Sequence, residues 1–347
     1  MVRKASGSGS ASRKIRVPKN IEPVEVEEVE EEEYDEADDL NAYVPDPEIG
    51  DRYISRRLFG GHWDVDILTY ALENKKNVLL MGDTGAGKTM LSRAYAAKAG
   101  MLYYSLPCDV SIDPSALFGK IVPTEEGGFE WVDGPVTQLV RYGGVLNISE
   151  INFMPPRIAA SLYPLLDSRR QLPLLGNRGE IIEAHEDLLI VADMNPQYRG
   201  TTDLNAAFKN RFPIKVPWGY DKRVESHLVK NKELLSFAEK LRAKVGTELR
   251  TPVATNMLLE FEEHESALGL DFASENFLAA FEDTERGAVK QVYDVHKGNI
   301  KKFYDDERAK AEAGSAKDRM RNAVESASDD EDEIEIMDDE FEFEMED

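Results

Sequence analysis

Between Gly82 and Thr89 the chain reads GDTGAGKT, the spacing G-x-x-x-x-G-K-[ST]. Glycines there let the backbone wrap a polyphosphate. Main-chain N–H groups and a following helix N-terminus favour the anion, Lys88 reaches the outer phosphates, and Thr89 offers an oxygen to Mg²⁺. Gly82, Asp83, Thr84, Gly85, Ala86, Gly87, Lys88 and Thr89 are therefore the candidate nucleotide-binding residues. Further along, GGVLNISEIN (143–152) is an apolar run that ends in one carboxylate, Glu150. The run LLIVADMNP (188–196) ends in Asn195, a polar group suited to orienting a water beside a γ-phosphate. Arg211 closes DLNAAFKNRF, where a guanidinium from a neighbouring subunit would stabilise charge developing on a transferred phosphoryl group.

Residues of this kind need rigid elements under them. Short apolar stretches at 77–82, 101–106, 144–148, 188–192 and 212–216 predict strands, and segments near 88–99, 135–142, 155–168 and 203–210 predict helices between them. Such alternation implies an α/β fold with a parallel sheet covered on both faces. A helix over 57–74 should precede the first strand. Two segments, EEGGFEWVDGP (125–135) and LPLLGNRGEIIEA (172–184), predict hairpins inserted into that alternation. Pro164 should kink or shorten its helix. Beyond Trp218 the strand signal ends, and 221–298 reads as three or four helices, one of them starting at Pro252.

Charge divides the chain in the same way. The formal net charge is −25 over 347 residues, but it is concentrated at the ends. Residues 1–20 hold six Lys/Arg and no acid, 21–40 hold twelve acids, and 325–347 hold fourteen, so the middle is nearly balanced. The expected organisation is a disordered arm at 1–45, an α/β nucleotide-binding domain at 46–218 and a helical lid at 219–300. An exposed helical extension at 301–324 and a disordered acidic tail at 325–347 complete it. A duplex nucleic acid is disfavoured as partner, because releasing phosphate counterions needs clustered Lys/Arg. No apolar run approaches the roughly 20 residues of a membrane span. The single cysteine, Cys108, excludes an internal disulfide and reads as an inert half-buried thiol, and the five histidines lack zinc spacing, so a cytoplasmic protein is expected.

GDTGAGKT, GGVLNISEIN, MNPQYRGTTDLNAAFKNRF and the two hairpin segments together resemble the MoxR-like branch of the AAA+ ATPases, near its CbbQ, gas-vesicle and CobS-type members. The resemblance spans about residues 50–290 and is densest from 77 to 217. It implies a P-loop core of strand order 5-1-4-3-2 with β-hairpin inserts, a C-terminal helical lid and a hexameric ring with active sites shared between neighbours. It also implies ATP and Mg²⁺ as cofactors, and a chaperone-like ATPase that remodels a protein partner, often one with a von Willebrand A domain. Two positions depart from the pattern. Ser149 stands where the family has the Asp that steadies Mg²⁺ beside the catalytic Glu150, and Asn256 stands where the lid usually presents an arginine, with Arg250 close by in sequence. A serine still interacts with a metal-bound water but brings no negative charge. The expected consequence is turnover that is slowed and steeply dependent on Mg²⁺. A nucleotide-gated scaffold with little turnover, and a CobS-like ATPase subunit of a metal chelatase, are the alternatives.

Three further features are read from residues alone. Phe129 and Trp131 are candidates to grip a substrate peptide at a ring pore, though aromatics in a short hairpin more often pack on their own domain. Arg157, Arg169 and Arg170 read as solvent-facing. The tail DDEDEIEIMDDEFEFEMED alternates acids with apolar residues and is either a solubilising end or a docking peptide.

Overall fold

The computed structural model describes residues 40–108, 113–125, 127–195 and 206–329, with 206–207 and 314–329 described by backbone alone. The tail beyond 329 and the arm before 40 lie outside the described residues, as does most of the stretch from Pro196 to the helix before Arg211.

Five apolar runs form one parallel sheet: β1 (Val78–Gly82), β2 (Tyr103–Pro107), β5 (Gly144–Ser149), β8 (Leu188–Met194) and β9 (Ile214–Trp218). Its order is β2-β5-β8-β1-β9, which is the expected 5-1-4-3-2 when the five strands are counted in chain order and read from the other edge. The central strand β8 is buried at every position, as a strand covered on both faces must be. Alternate side chains separate into two cores. Leu79, Leu146, Ile148, Ile190 and Ala192 pack with the helices α5 (Pro135–Tyr142) and α6 (Pro156–Leu166). Val78, Leu80, Val145, Leu189 and Val191 pack with α2 (Asp64–Glu73) and α3 (Lys88–Ala99). Smaller pieces are α1 (Pro47–Arg52), α4 (Pro114–Phe118) and α7 (Ala206–Lys209). Pro164 lies inside α6, and the helix ends two residues later.

Several boundaries differ from the sequence reading. The helix expected from 57 starts only at Asp64, because Gly60 and Gly61 take left-handed φ values of 75° and 80° and turn the chain back so that Arg57 bridges Trp63. The last strand begins at Ile214 rather than 212, since Pro213 has no N–H to give to a ladder. Order reaches further toward the N-terminus than expected. The Tyr43 carbonyl accepts the Tyr103 N–H at 2.8 Å, so the chain at 43 is tied to the edge strand β2.

Both inserts are antiparallel hairpins. The first, β3 (Gly119–Pro123) with β4 (Phe129–Asp133), begins earlier than the segment 125–135 suggested, and Thr124, Gly127 and Gly128 bond to one another between its strands. The second, β6 (Gln171–Leu174) with β7 (Glu180–Glu183), falls where expected. Arg141 ties them together through Asp133 at 2.5 Å and Glu180 at 2.9 Å. The two aromatics of the first hairpin have different environments. Phe129 is 78% exposed, whereas Trp131 donates its indole N–H to Asp133 at 2.6 Å and lies against Gly176 of the second hairpin.

The helical C-terminal region, expected to form the lid, comprises α8 (Lys222–Leu228), α9 (Lys232–Arg242), α10 (Thr255–Leu268), α11 (Leu270–Ala279) and α12 (Asp283–Asp329). Asp221 and Asn231 cap α8 and α9 by accepting the first free N–H groups. The helix expected at Pro252 begins at Thr255. Phe237, Phe261, Phe277 and Tyr293 form the aromatic centre of this core, and Ile300 and Tyr304 of α12 also belong to it. The expected boundary at 300 therefore falls inside one continuous helix, whose apolar face ends at Tyr304 and whose next nine residues are exposed. The same helix runs through 325–329, where a disordered tail was expected. No helix among the described residues is long and apolar enough to cross a membrane.

A candidate nucleotide site at the carboxyl edge of the sheet

Strand β1 delivers the chain to the loop 82–87, and α3 starts at Lys88. Ligands of open parallel sheets gather at this edge, outside the carboxyl ends of the strands. Gly82 has to be glycine because β9 passes so close that an added Cβ would lie 1.5 Å from the Trp218 carbonyl oxygen. Gly85 and Gly87 take left-handed φ values of 68° and 85°, which turn the loop at little cost for glycine alone.

Lys88 is 7% exposed, and its ammonium curls into its own loop, donating to the carbonyls of Gly82 at 2.9 Å and Asp83 at 2.7 Å. Burial lowers its pKa, while Asp193, Asp83 and Glu150 push the other way. Its hydrogen bonds go to two neutral carbonyls, which charged phosphate oxygens would replace.

The loop is held from outside by residues that the sequence reading did not single out. Both Arg56 at 2.7 Å and the Trp218 indole at 2.9 Å donate to the Ala86 carbonyl, and Tyr220 donates to the Thr84 carbonyl at 2.9 Å. Arg56 also stacks on the Trp218 ring at 4.6 Å. Its own position is fixed by the fully buried Asp64, which accepts the Arg56 N–H at 2.9 Å and the Tyr53 hydroxyl at 2.6 Å. These carbonyl contacts fix the loop while occupying none of its N–H groups.

Glu150 and Asn195 stand at the same edge, where the sequence placed them. Glu150 is exposed, with φ 52° in the left-handed region that non-glycine residues rarely adopt, a strain typical of functional positions. Asn195 donates to the Thr84 hydroxyl at 2.9 Å. Between them sits Asp193, 3% exposed, which accepts the Glu150 N–H at 3.2 Å and lies 3.5 Å from the Thr89 hydroxyl. Burial raises its pKa, against the Glu150 N–H, the Lys88 charge and hydrogen bonds from Ser149 and Asn147. Asp193 is the carboxylate missed from sequence. The signal was there in ADMNP, an acid within an apolar strand, where an unpaired charge would be costly.

Thr89, Ser149 and Asp193 form an all-oxygen set, hard donors suited to Mg²⁺, which takes few protein ligands and completes its shell with phosphates and water. No cluster of three or more His, Cys, Asp or Glu able to hold a metal alone exists among the described residues. The residues present thus fit a Mg²⁺ that arrives with a nucleotide.

A cavity of about 820 Å³ opens between this edge and the lid, lined among others by Asp83, Asn195, Tyr220, Arg242, Arg250 and Glu282. Arg242 is engaged, forked onto Glu225 at 2.7 and 2.8 Å and stacked 3.6 Å over Tyr220. The Arg250 side chain is 74% exposed and 4.0 Å from Glu282. Asn256 is in the lid face that meets the loop, its Oδ1 2.9 Å from where a Gly85 Cβ would stand.

Arg211 is not brought to this centre. Its carbonyl accepts from Asn77 at 2.7 Å, just before β1, and its guanidinium lies 4.3 Å over the Tyr163 ring. That is the opposite edge of the sheet, about 16 Å away along five strand residues at roughly 3.3 Å each. Arg169 pairs with Asp167 at 2.7 Å on the surface. Arg170, expected to face solvent, instead braces the sheet by donating to the Leu188 carbonyl at 2.6 Å and to Asn77 at 3.2 Å.

Cys108 follows β2 and gives its N–H to the Ser149 carbonyl at 3.1 Å. Burial, helped by the charges of Asp193 and Glu150, pushes its thiol up to about 12. Only the thiolate is nucleophilic, so alkylation by iodoacetamide at pH 8 should run about 10³-fold slower than for a free thiol of pKa about 8.5. Denaturant should restore the ordinary rate, and mass spectrometry reads both; ordinary labelling of the folded protein would contradict the buried environment.

Comparison with known proteins agrees with this geometry. Residues 77–212 match the model for the AAA domain (dynein-related subfamily). An uncharacterised protein of Staphylococcus haemolyticus is 39% identical over 145 residues, 40% of this chain, and the match spans about half of that relative, 54%. An uncharacterised protein of Staphylococcus saprophyticus is 32% identical over 198 residues, covering 54% of this chain and 74% of the relative. Among solved structures, a provisionally assigned ATPase from Cytophaga hutchinsonii is 19% identical, covers 69% of this chain and 71% of its own, and has a TM-score of 0.40. NtrX from Brucella abortus is 16% identical, covers 68% and 62%, and has a TM-score of 0.39. Structural likeness of that degree carries no argument about activity. With 32% identity across 74% of the Staphylococcus saprophyticus protein, the chain belongs to one family with that relative, and its residues 77–212 are an AAA domain of the dynein-related subfamily.

Proposed function

We propose that this chain is an ATP hydrolase of the MoxR-like type, working with Mg²⁺ in a closed ring of copies and coupling turnover to the remodelling of a protein partner. The observation that carries the reading is the division of the machinery between two edges. Lys88, Glu150 and Asn195 share the carboxyl edge of the sheet, while Arg211 lies at the other edge, beyond reach of its own phosphate site. An active site completed by the next copy's Arg211 turns that separation into a ring interface.

In this centre the loop amides and Lys88 hold the β- and γ-phosphates, with Lys88 exchanging its two carbonyl partners for phosphate oxygens. Mg²⁺, held from the protein side by Thr89 and by the oxygens near Ser149, supplies charge neutralisation of the phosphates. Glu150 polarises the attacking water, Asn195 orients it, and Arg211 of the adjacent copy stabilises the charge that develops on the transferred group. Asn195 is bonded to Thr84 in the loop, and Asn256 of the lid lies beside Gly85, so a change at the γ-phosphate has a short route to the lid. A von Willebrand A domain protein as the remodelled partner, and six copies in the ring, rest on the family resemblance alone.

Steady-state phosphate release, measured beside sizing with and without ATP, tests the proposal. Turnover that rises steeply with Mg²⁺, together with an ATP-stabilised oligomer, is expected. An ATP-dependent oligomer with no phosphate release at saturating Mg²⁺ would replace it with a nucleotide-gated scaffold, a reading that the uncharged Asn256 at the loop–lid contact favours.

A further inference from the structure

We propose that Asp193 supplies the metal-organising carboxylate that Ser149 lacks: the charge has moved from the end of β5 to the neighbouring strand β8. The inference rests on the Mg²⁺–nucleotide reading of the site.

Strand register makes the relocation possible. Ile148 pairs with Ala192, so Ser149 and Asp193 are the next residues along two adjacent strands, about 4.8 Å apart. On the other side Asp193 pairs with Leu80 of β1, two residues before the phosphate loop. Its carboxylate thus sits centrally, with the Thr89 hydroxyl 3.5 Å from Oδ2 and the Glu150 N–H 3.2 Å from Oδ1. The Ser149 hydroxyl is near enough to the same carboxylate to favour its charged form. A second aspartate at 149 would place two like charges side by side in a largely buried setting, where each disfavours ionisation of the other. Serine with Asp193 keeps one carboxylate at these two positions and sets a hydroxyl beside it. The two positions therefore form one unit, and the departure at 149 is complemented rather than simply a loss.

A purely structural role, in which Asp193 only caps the Glu150 N–H, would be indifferent to Mg²⁺. Asn at 193 retains an oxygen for that N–H, so the two roles separate. Binding of a fluorescent ATP analogue would be measured at equilibrium in EDTA and across a Mg²⁺ titration for wild type, Asp193→Asn, Ser149→Asp and the double variant. Without Mg²⁺, Asp193→Asn should bind the analogue more tightly than wild type, because a negative charge near the phosphates is gone. Its Mg²⁺ half-point should rise on the order of tenfold or more. The double variant, with the carboxylate moved back to 149, should recover most of that Mg²⁺ sensitivity. Ser149→Asp alone should lower the melting midpoint in EDTA and regain it with Mg²⁺, a readout that does not depend on how well Asp193→Asn folds. An unchanged Mg²⁺ half-point in Asp193→Asn, or equal weakening with and without Mg²⁺, overturns the proposal. Wild type binding no analogue in either condition overturns the nucleotide reading beneath it, a different result.

Discussion

Lys88→Ala should lower nucleotide affinity by about 100-fold or more while leaving the melting midpoint of the free protein nearly unchanged. The first half follows from charge. Hydrogen bonds from an ammonium to phosphate are charge-assisted, each contributing about 1.5–3 kcal/mol, so losing two removes roughly 3 kcal/mol or more. Tenfold in affinity corresponds to about 1.4 kcal/mol. The second half follows from what Lys88 does without ligand. Its ammonium bonds only to the Gly82 and Asp83 carbonyls of an edge loop, and burial works against its charge. Removing it costs two neutral-acceptor contacts and the attraction of Asp193, Asp83 and Glu150 but relieves a desolvated cation, and these nearly offset. Titration with a fluorescent nucleotide beside a thermal melt measures both. Undiminished affinity would remove the basis for every role assigned at this edge.

The Arg211→Ala variant should bind nucleotide like wild type yet turn it over about 10³-fold more slowly, within the range found when a guanidinium is withdrawn from phosphoryl transfer. The Arg211 contact over Tyr163 at 4.3 Å is of the cation–π kind, about 0.5–1 kcal/mol near a surface. The stronger prediction concerns mixtures. A ring holding both Lys88→Ala and Arg211→Ala copies contains interfaces where an intact loop of one meets the intact Arg211 of the other. Two silent variants should therefore regain phosphate release on mixing and re-assembly. A mixture as inactive as its parts, or Arg211→Ala alone turning over at the wild-type rate, would rule out completion of the site by the neighbour.

Local signals in this chain were strong where chemistry and fold coincide. GDTGAGKT specifies a loop because only glycine tolerates the approach of β9 at Gly82 and the φ values at Gly85 and Gly87. Continuous apolar runs alternating with helices specified buried strands of a parallel sheet, while the strand order that is observed was implied by the family resemblance. The sequence therefore marked Lys88, Glu150 and Asn195 as members of one site, since strands of a parallel sheet all deliver their ends to the same edge. It also placed the second hairpin.

Contacts between distant segments decided the rest. Arg56, Trp218 and Tyr220 grip the phosphate loop only because β9 lies beside β1, and nothing in their own neighbourhoods marks them. Trp131 and Phe129 look alike in sequence, yet one is packed against the second hairpin and the other exposed. The lid continues past 300 because Ile300 and Tyr304 find an apolar core made by other helices. Asp193 and Ser149 are 44 positions apart and become neighbours through strand register alone. Periodicity and turn chemistry are properties of a few consecutive residues, so the sequence by itself determined the elements, their edge and the phosphate loop. Which carboxylate stands beside Thr89, and on which side Arg211 lies, depend on pairing between strands, and only the tertiary structure decided them.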